Sequence, residues 1–576
     1  MITKRLGVTR YFVGLLFLWA ALVVGCSDAP EPSRGGGGKQ PRIMSYADAE
    51  KSLAALRAGV YAAEVPVGQV ELIATGTASI EDTLPDIATF PMVVDPVADN
   101  SSVVAEIFAS TEKSGSGTDG WMVEVATQFN EANYRTSSGK LARIAVRKIA
   151  SGTAYEFIAS RKYIPDAFSP SNDLWIEMAR DQGAQITPIT ERLAGNVAGL
   201  VMKTAVADRL KAGNAQISVA DLVNAAIQGK VVVGYTNPFA SSTGLNFLVT
   251  VLQTFAKGEN SAMLTPDVAS AFENFQKSVP FVALTTMQMR DSVEKDRSLE
   301  AFVLEYQTYV QTPSLRSGYV FIPFGFRHDN PLCAVGQVRP EKMEVLDLFA
   351  KFAQGAQAQK LATDYGFNPK MDWKAPFKLP SGKTLIEAQK LWKQKKDAGR
   401  PIAALFLADV SGSMGGTKIQ QLRQALMEGG SFISPQNAIG LASFASNASI
   451  LLPIRPFQLV QQSAFQTAVR HLDAEGNTAM YDGIVVALSM LVDYKKANPE
   501  VRPMVFVLTD GQTNRGLIFE DVAEVIAGMR IPIYTIGFEA DVKELGRLSS
   551  LVEAASLNAS EADLRYKIGA LLNSQM

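Results

Sequence analysis

The sequence predicts an α/β protein built from sheets covered by helices. Two observations lead to this expectation. From residue 103 onward, short apolar strand candidates alternate with segments whose apolar residues recur at helical spacing, the pattern of sheets covered by helices. Further on, Pro401 to Ala408 (PIAALFLA), Met504 to Leu508 and Ile531 to Gly537 are continuous apolar runs of strand length, as expected of parallel strands buried on both faces.

The chain has 576 residues, too many for one hydrophobic core, so several domains are expected. Hydrophobic residues make up 47% and charged residues 19%, a composition that favours folded over disordered protein. A formal net charge of -2 supplies no broad positive field, so nucleic acid is not an expected partner. Only His328 and His471 are available for imidazole chemistry. That leaves little material for a His-based active site or zinc site.

The N-terminus carries an export pattern. Lys4, Arg5 and Arg10 precede the apolar run Tyr11 to Val24, and Val23-Val24-Gly25 lead into Cys26. A spanning helix needs ~20 apolar residues, and this run is shorter. The arrangement resembles the lipobox of bacterial lipoproteins. That resemblance implies that residues 1–26 are a signal peptide, that Cys26 is acylated, and that the membrane is a partner through a lipid anchor on the extracytoplasmic side of the envelope. A signal peptide cut elsewhere, with Cys26 incidental, is the alternative. With Cys26 acylated, Cys333 has no disulfide partner, and its apolar surroundings predict an inert buried thiol.

Residues 27–60 are expected to act as a flexible Gly/Pro-rich tether, on the strength of PEPSRGGGGKQPR at Pro30 to Arg42. Tyr46 to Ala62 nevertheless has helical spacing. Residues 61–102 receive no assignment.

Residues 103–377 then supply strand candidates at Val103 to Ala109, Leu141 to Ile149 and Lys230 to Tyr235. Helical segments are expected at Trp121 to Asn133, Thr153 to Arg161 and Leu245 to Ala256. The loops after the strands read Ser110-Thr111-Glu112-Lys113-Ser114, Ala150-Ser151-Gly152-Thr153 and Ala240-Ser241-Ser242-Thr243-Gly244. Hydroxyls at a helix start suit an anionic or carbonyl-rich ligand, and they equally suit ordinary N-capping. Together with Pro165-Asp166-Ala167-Phe168-Ser169-Pro170-Ser171, Trp175 and Asn237-Pro238, these motifs resemble bacterial extracellular solute-binding proteins of the type II periplasmic class. The resemblance implies two α/β lobes joined by crossover strands, with a small solute held between them. It makes Ser110, Thr111, Ser151, Gly152, Ser242 and Thr243 candidate ligand contacts.

Prolines and a glycine between residues 367 and 383 mark a boundary, and residues 378–399 form a linker with a helix expected at Thr384 to Lys396. Residues 400–576 hold the sharpest signal. The PIAALFLA strand runs into Asp409-Val410-Ser411-Gly412-Ser413-Met414 and a helix from Lys418. Glu475-Gly476-Asn477-Thr478 precedes a helix from Met480, and Met504 to Leu508 runs into Thr509-Asp510-Gly511. Oxygen-bearing side chains thus gather at strand ends, where open α/β sheets bind ligands. Alternate residues of Asp-x-Ser-x-Ser can turn one carboxylate and two hydroxyls toward a point, a set suited to Mg²⁺, or to Ca²⁺ or Mn²⁺, although a hydrogen-bonded turn is the plain alternative. Helices are expected at Val542 to Ala554 and Glu561 to Leu572.

This segment resembles von Willebrand factor A domains with a metal-ion-dependent adhesion site. The resemblance implies a Rossmann-like, doubly wound fold. It also implies direct metal ligation by Ser411, Ser413 and Thr478, ligation by Asp409 and Asp510 partly through water, and a protein partner that offers an Asp or Glu carboxylate. Two functions follow as expectations: metal-dependent protein interaction, or reception of a small solute for a transporter or sensor. No nucleophile elbow, paired-carboxylate motif, Walker loop or HExxH is present, so no catalysis is expected.

Overall fold

The computed structural model describes residues 44–65, 83–97, 99–211, 216–279, 281–283, 299–397, 400–538, 556–559 and 564–576, with isolated positions between these stretches. The expected signal peptide, Cys26, the Pro30 to Arg42 segment and nearly all of the helix expected at Val542 to Ala554 lie outside the described residues.

The described chain opens with a helix at Tyr46–Gly59, capped by the Ser45 side chain, which accepts from the Asp48 backbone N–H. Strand β1 (Ala62–Glu64) follows. The next strands are β2 (Met92–Val94), β3 (Ser102–Ala109), β4 (Leu141–Lys148), β5 (Ala167–Ser169) and β6 (Ile186–Thr190). After them come β7 (Val197–Lys203), β8 (Val233–Thr236), β9 (Phe281–Ala283), β10 (Ala301–Glu305), β11 (Tyr319–Arg327) and β12 (Leu332–Val335). They form two sheets, β2-β4-β3-β5-β12-β6 and β11-β7-β10-β8-β9. The chain crosses between these lobes twice, from β6 to β7 and from β11 to β12.

Both sheets are mixed rather than purely parallel. β7 runs antiparallel to β10 and β11, and β12 antiparallel to β5 and β6. One continuous core spans the lobes, joining Phe108, Ile149 and Trp175 of the first to Leu200, Leu245 and Phe247 of the second. Leu385, Ala388 and Trp392 of the Gly382–Lys395 helix complete the same core.

The last sheet uses β13 (Ile402–Asp409), β14 (Ala438–Phe444), β15 (Ala448–Pro456), β16 (Arg502–Thr509), β17 (Ile533–Phe538) and β18 (Ser556–Ala559). Its order is β1-β15-β14-β13-β16-β17-β18. Every residue of β13 is buried, because alternate side chains enter two different cores: Ala403, Leu405 and Leu407 one, Ala404 and Phe406 the other. The sheet departs from an all-parallel pattern at β15, which runs antiparallel to β14. Only Ala445 to Asn447 separate those strands, far too few residues for a parallel crossover.

The N-terminal segment corrects the expected tether. Within 27–60, residues 46–59 are helical and dock on the last domain, with Ala49 and Leu53 buried in the same core as Leu405 and Ile526. Gly528 on the Phe519–Met529 helix permits the close approach, since a Cβ there would stand 2.7 Å from the Ala49 Cβ. The previously unassigned β1 pairs in parallel with β15, from Ala62 against Ala448 to Glu64 against Ile450. The two-lobed unit is therefore inserted between an edge strand of the final sheet and the rest of that sheet.

Candidate functional site

The parallel register of β13 and β16 builds the first site. Ile402 pairs with Arg502 and Ala408 with Leu508, so the loops leaving the two strands emerge side by side. Asp409 is fully buried. Its Oδ1 accepts from the Ser411 backbone N–H at 2.8 Å, and its Oδ2 accepts from the Thr509 hydroxyl. Burial raises the Asp409 carboxyl above its ordinary value, and the charge of Asp510 adds to the rise; the Ser411 and Thr509 bonds oppose it.

Ser411 and Ser413 place their hydroxyls 3.1 Å apart, and Ser413 donates to Asp510 Oδ1 at 2.7 Å. Lys418, the second residue of the following Thr417–Gly429 helix, holds the other Asp510 oxygen. The Thr478 loop closes over this pair of loops: Gly412 N–H donates to the Gly476 carbonyl at 3.0 Å, and Glu475 N–H to the Val410 carbonyl at 2.8 Å. Thr478 is 4% exposed, and its backbone N–H and carbonyl bond the Asn514 side chain and the Thr513 hydroxyl. Its loop neighbours Glu475 and Gly476, rather than Thr478 itself, bond the loop that carries Ser411 and Ser413.

All five predicted residues thus stand on three loops at one end of the sheet. Their donors are two carboxylates and three hydroxyls, an all-oxygen set that fits a hard divalent cation with some retained water. Soft-metal ligation by zinc or copper would call for His or Cys donors, which this set does not contain. Sequence reasoning missed Thr509, although it directly precedes Asp510, and Lys418, which reads as an ordinary helix-surface lysine.

Of the six candidate contacts, Ser110, Ser151, Ser242 and Thr243 bond protein partners through their hydroxyls. Ser110 donates to Glu112 and accepts from Lys113. The Ser151 hydroxyl accepts from Ser171 N–H at 3.4 Å, and the Ser242 hydroxyl accepts from Trp175 Nε1 at 2.9 Å. Thr243 donates to Glu305 at 3.2 Å, and Glu305 also holds His328 Nδ1 at 2.9 Å. Gly152 has no room for a side chain, since a Cβ would lie 2.2 Å from the Phe239 carbonyl oxygen. Thr111 alone of the six is half-buried rather than buried. The capping role falls to Ser241, which accepts from Gly244 N–H at 3.3 Å. Glu112, Lys113, Ser171, Glu305 and His328 were missed, because adjacent loop charges ordinarily read as solvated. Cys333 is 3% exposed, and burial pushes its thiol up to about 12, which leaves it inert.

Comparison with known proteins follows this division. Residues 114–368 match the bacterial extracellular solute-binding protein family, and residues 405–564 match the von Willebrand factor type A domain. Among curated relatives, inter-alpha-trypsin inhibitor heavy chain H1 of Mesocricetus auratus is 29% identical over 147 residues, which are 24% of this chain and 16% of the relative. The match therefore covers about a sixth of that relative's length. Among solved structures, a von Willebrand factor type A protein from Catenulispora acidiphila is 19% identical, covers 30% of this chain and 42% of its own, and has a TM-score of 0.28. The sulfate-binding protein SubI from Mycobacterium tuberculosis H37Rv is 16% identical, covers 47% of this chain and 88% of its own, and has a TM-score of 0.33. The chain thus combines a bacterial extracellular solute-binding protein domain at residues 114–368 with a von Willebrand factor type A domain at residues 405–564.

Proposed function

We propose that this chain is an extracytoplasmic envelope protein, lipid-anchored at Cys26, whose von Willebrand factor A domain captures a partner protein's Asp or Glu through a bound divalent cation. The observation that supports this most directly is the meeting of Ser411, Ser413 and Asp510 at adjacent strand ends. Ser411, Ser413 and Thr478 would hold Mg²⁺, or Ca²⁺ or Mn²⁺, directly, with Asp409 and Asp510 acting partly through water. The cation supplies an electrophilic point for a carboxylate. The residues around it keep it so: Lys418 offsets the Asp510 charge, and Thr509 and the Ser411 amide hold Asp409 in place. The solute-binding-like domain serves as a second recognition module, and the whole acts by binding rather than catalysis.

Calorimetry of the full chain with Mg²⁺ and Mn²⁺, with Ser411→Ala as control, tests the metal site. A Mg²⁺-dependent pull-down from envelope extract tests the partner. Heat of binding that Ser411→Ala removes is expected; its absence in the native protein counts against the reading. The match of residues 114–368 supports a second reading, a solute receptor serving a transporter or sensor. A solute that raises the melting temperature of the native protein would favour it.

A further inference from the structure

The loop after β3 turns two neighbours of opposite charge, Glu112 and Lys113, into the junction between the lobes, where they are 6% and 0% exposed. Glu112 Oε1 accepts from the Ser110 hydroxyl and, at 2.7 Å, from the Ser171 hydroxyl. Lys113 Nζ stands 3.7 Å from the same oxygen. It donates to the Ser110 hydroxyl, to the Ser169 carbonyl at 2.8 Å and to Asn330 Oδ1 at 3.1 Å. Burial alone would raise the Glu112 carboxyl, but the Lys113 ammonium and the two serine hydroxyls outweigh it and hold the carboxyl below its ordinary value. Burial lowers Lys113 to about 8, against the pull of the Glu112 and Glu305 charges.

A hydroxyl carries a single proton to donate. Ser110 and Ser171 both spend theirs on Glu112, so a solute anion at this position would have to evict Glu112 and strand Lys113. The chain's own bonds also hold the lobes together around the pair. Trp175 Nε1 reaches the Ser242 hydroxyl, Gln307 Nε2 donates to the Thr118 carbonyl at 2.9 Å, and Gly152 lies directly on the Phe239 carbonyl.

We propose that Glu112 is a built-in anion: its carboxylate, neutralised by Lys113, fills the hydroxyl-lined position between the lobes, so that this domain is a closed scaffold that takes no free carboxylate or oxyanion.

Thermal melting of the full-length protein in formate, acetate, sulfate or molybdate, each against sodium chloride at matched ionic strength, tests it. The native protein is expected to show no anion-specific shift. Glu112→Ala, which leaves Lys113 unpaired beside two released hydroxyls, is expected to melt lower and to recover part of the loss in formate or acetate but not in chloride. A native-protein shift that Ser110→Ala abolishes overturns the proposal, and so does a folded Glu112→Ala protein that no anion stabilises. Should Glu112→Ala not fold, Glu112→Gln keeps the shape without the charge. Faster hydrogen exchange in that variant at residues 150–153 and 241–244 supports the proposal, and exchange equal to the native protein refutes it.

Discussion

Ser413 donates its hydroxyl to the Asp510 carboxylate at 2.7 Å, joining two loops that lie 97 positions apart in the chain. The bond fixes the exposed Ser413 side chain toward the buried end of Asp510, whose side chain is 2% exposed. In the proposed metal site Asp510 would therefore orient Ser413 as much as it contributes charge. Asp510→Asn is expected to weaken Mg²⁺ or Mn²⁺ uptake by about 10- to 100-fold, the loss typical of groups that orient a metal ligand. Adding Ser413→Ala to that variant should cost less than Ser413→Ala does alone, because the two side chains act as one unit. Calorimetric titration of the two single variants and the double variant checks both statements; strictly additive losses would separate the roles of the pair.

The Tyr46–Gly59 helix behaves as part of the C-terminal domain. Leu53 is 2% exposed in the core that also holds Val522 and Ile526. Leu53→Ala should therefore destabilise the von Willebrand factor A domain by about 2–4 kcal/mol, as large-to-small substitutions in cores do. Denaturant unfolding followed by near-UV dichroism measures this. A value near zero would mean that the helix is docked without contributing to stability.

The strand-motif-helix order of the last domain was legible because both its signals are local: an unbroken apolar run long enough for a buried strand, and oxygen donors within the next few residues. The N-terminal contribution was not legible. Ala49 and Leu53 give a helical pattern, but the surface they cover, around Gly528, lies at the other end of the chain, and nothing in residues 46–64 names it. A glycine-rich run just upstream also pulled the expected tether too far. Between the lobes, the positions of Ser110, Ser151 and Ser242 followed from strand-loop-helix spacing, whereas their partners did not. Whether Glu112 points inward depends on Ser171 and Lys113 reaching it in three dimensions.

Glu112 also makes a pH prediction. Its folded carboxyl sits below the ordinary value of 4.5. Its contribution to stability is thus complete above that value and is lost as pH falls through the folded value. Glu112→Gln removes this dependence. The native protein should lose stability more steeply than the variant as pH falls below 4.5, and the difference between them should shrink toward strong acid. Melting curves of both proteins over that range check it; parallel curves would place the acid sensitivity elsewhere.

Tyr566 links the two domains directly. It lies on the Leu564–Gln575 helix, donates to Glu156 Oε2 at 2.8 Å, and stands 2.8 Å from the Thr153 hydroxyl on the Ser151–Ser160 helix. Burial, helped by the Glu156 charge, pushes its hydroxyl well above the ordinary value, so it remains a donor throughout the working range of pH. Tyr566→Phe keeps the ring and deletes the donor, at an expected cost of about 1–2 kcal/mol. Because Thr153 directly follows Ser151 and Gly152 in the first turn of that helix, the loss falls where the solute-binding-like domain meets the von Willebrand factor A domain. Scanning calorimetry should show the two domains of the native protein melting closer together than those of the variant. Identical profiles would mean that this contact does not couple them.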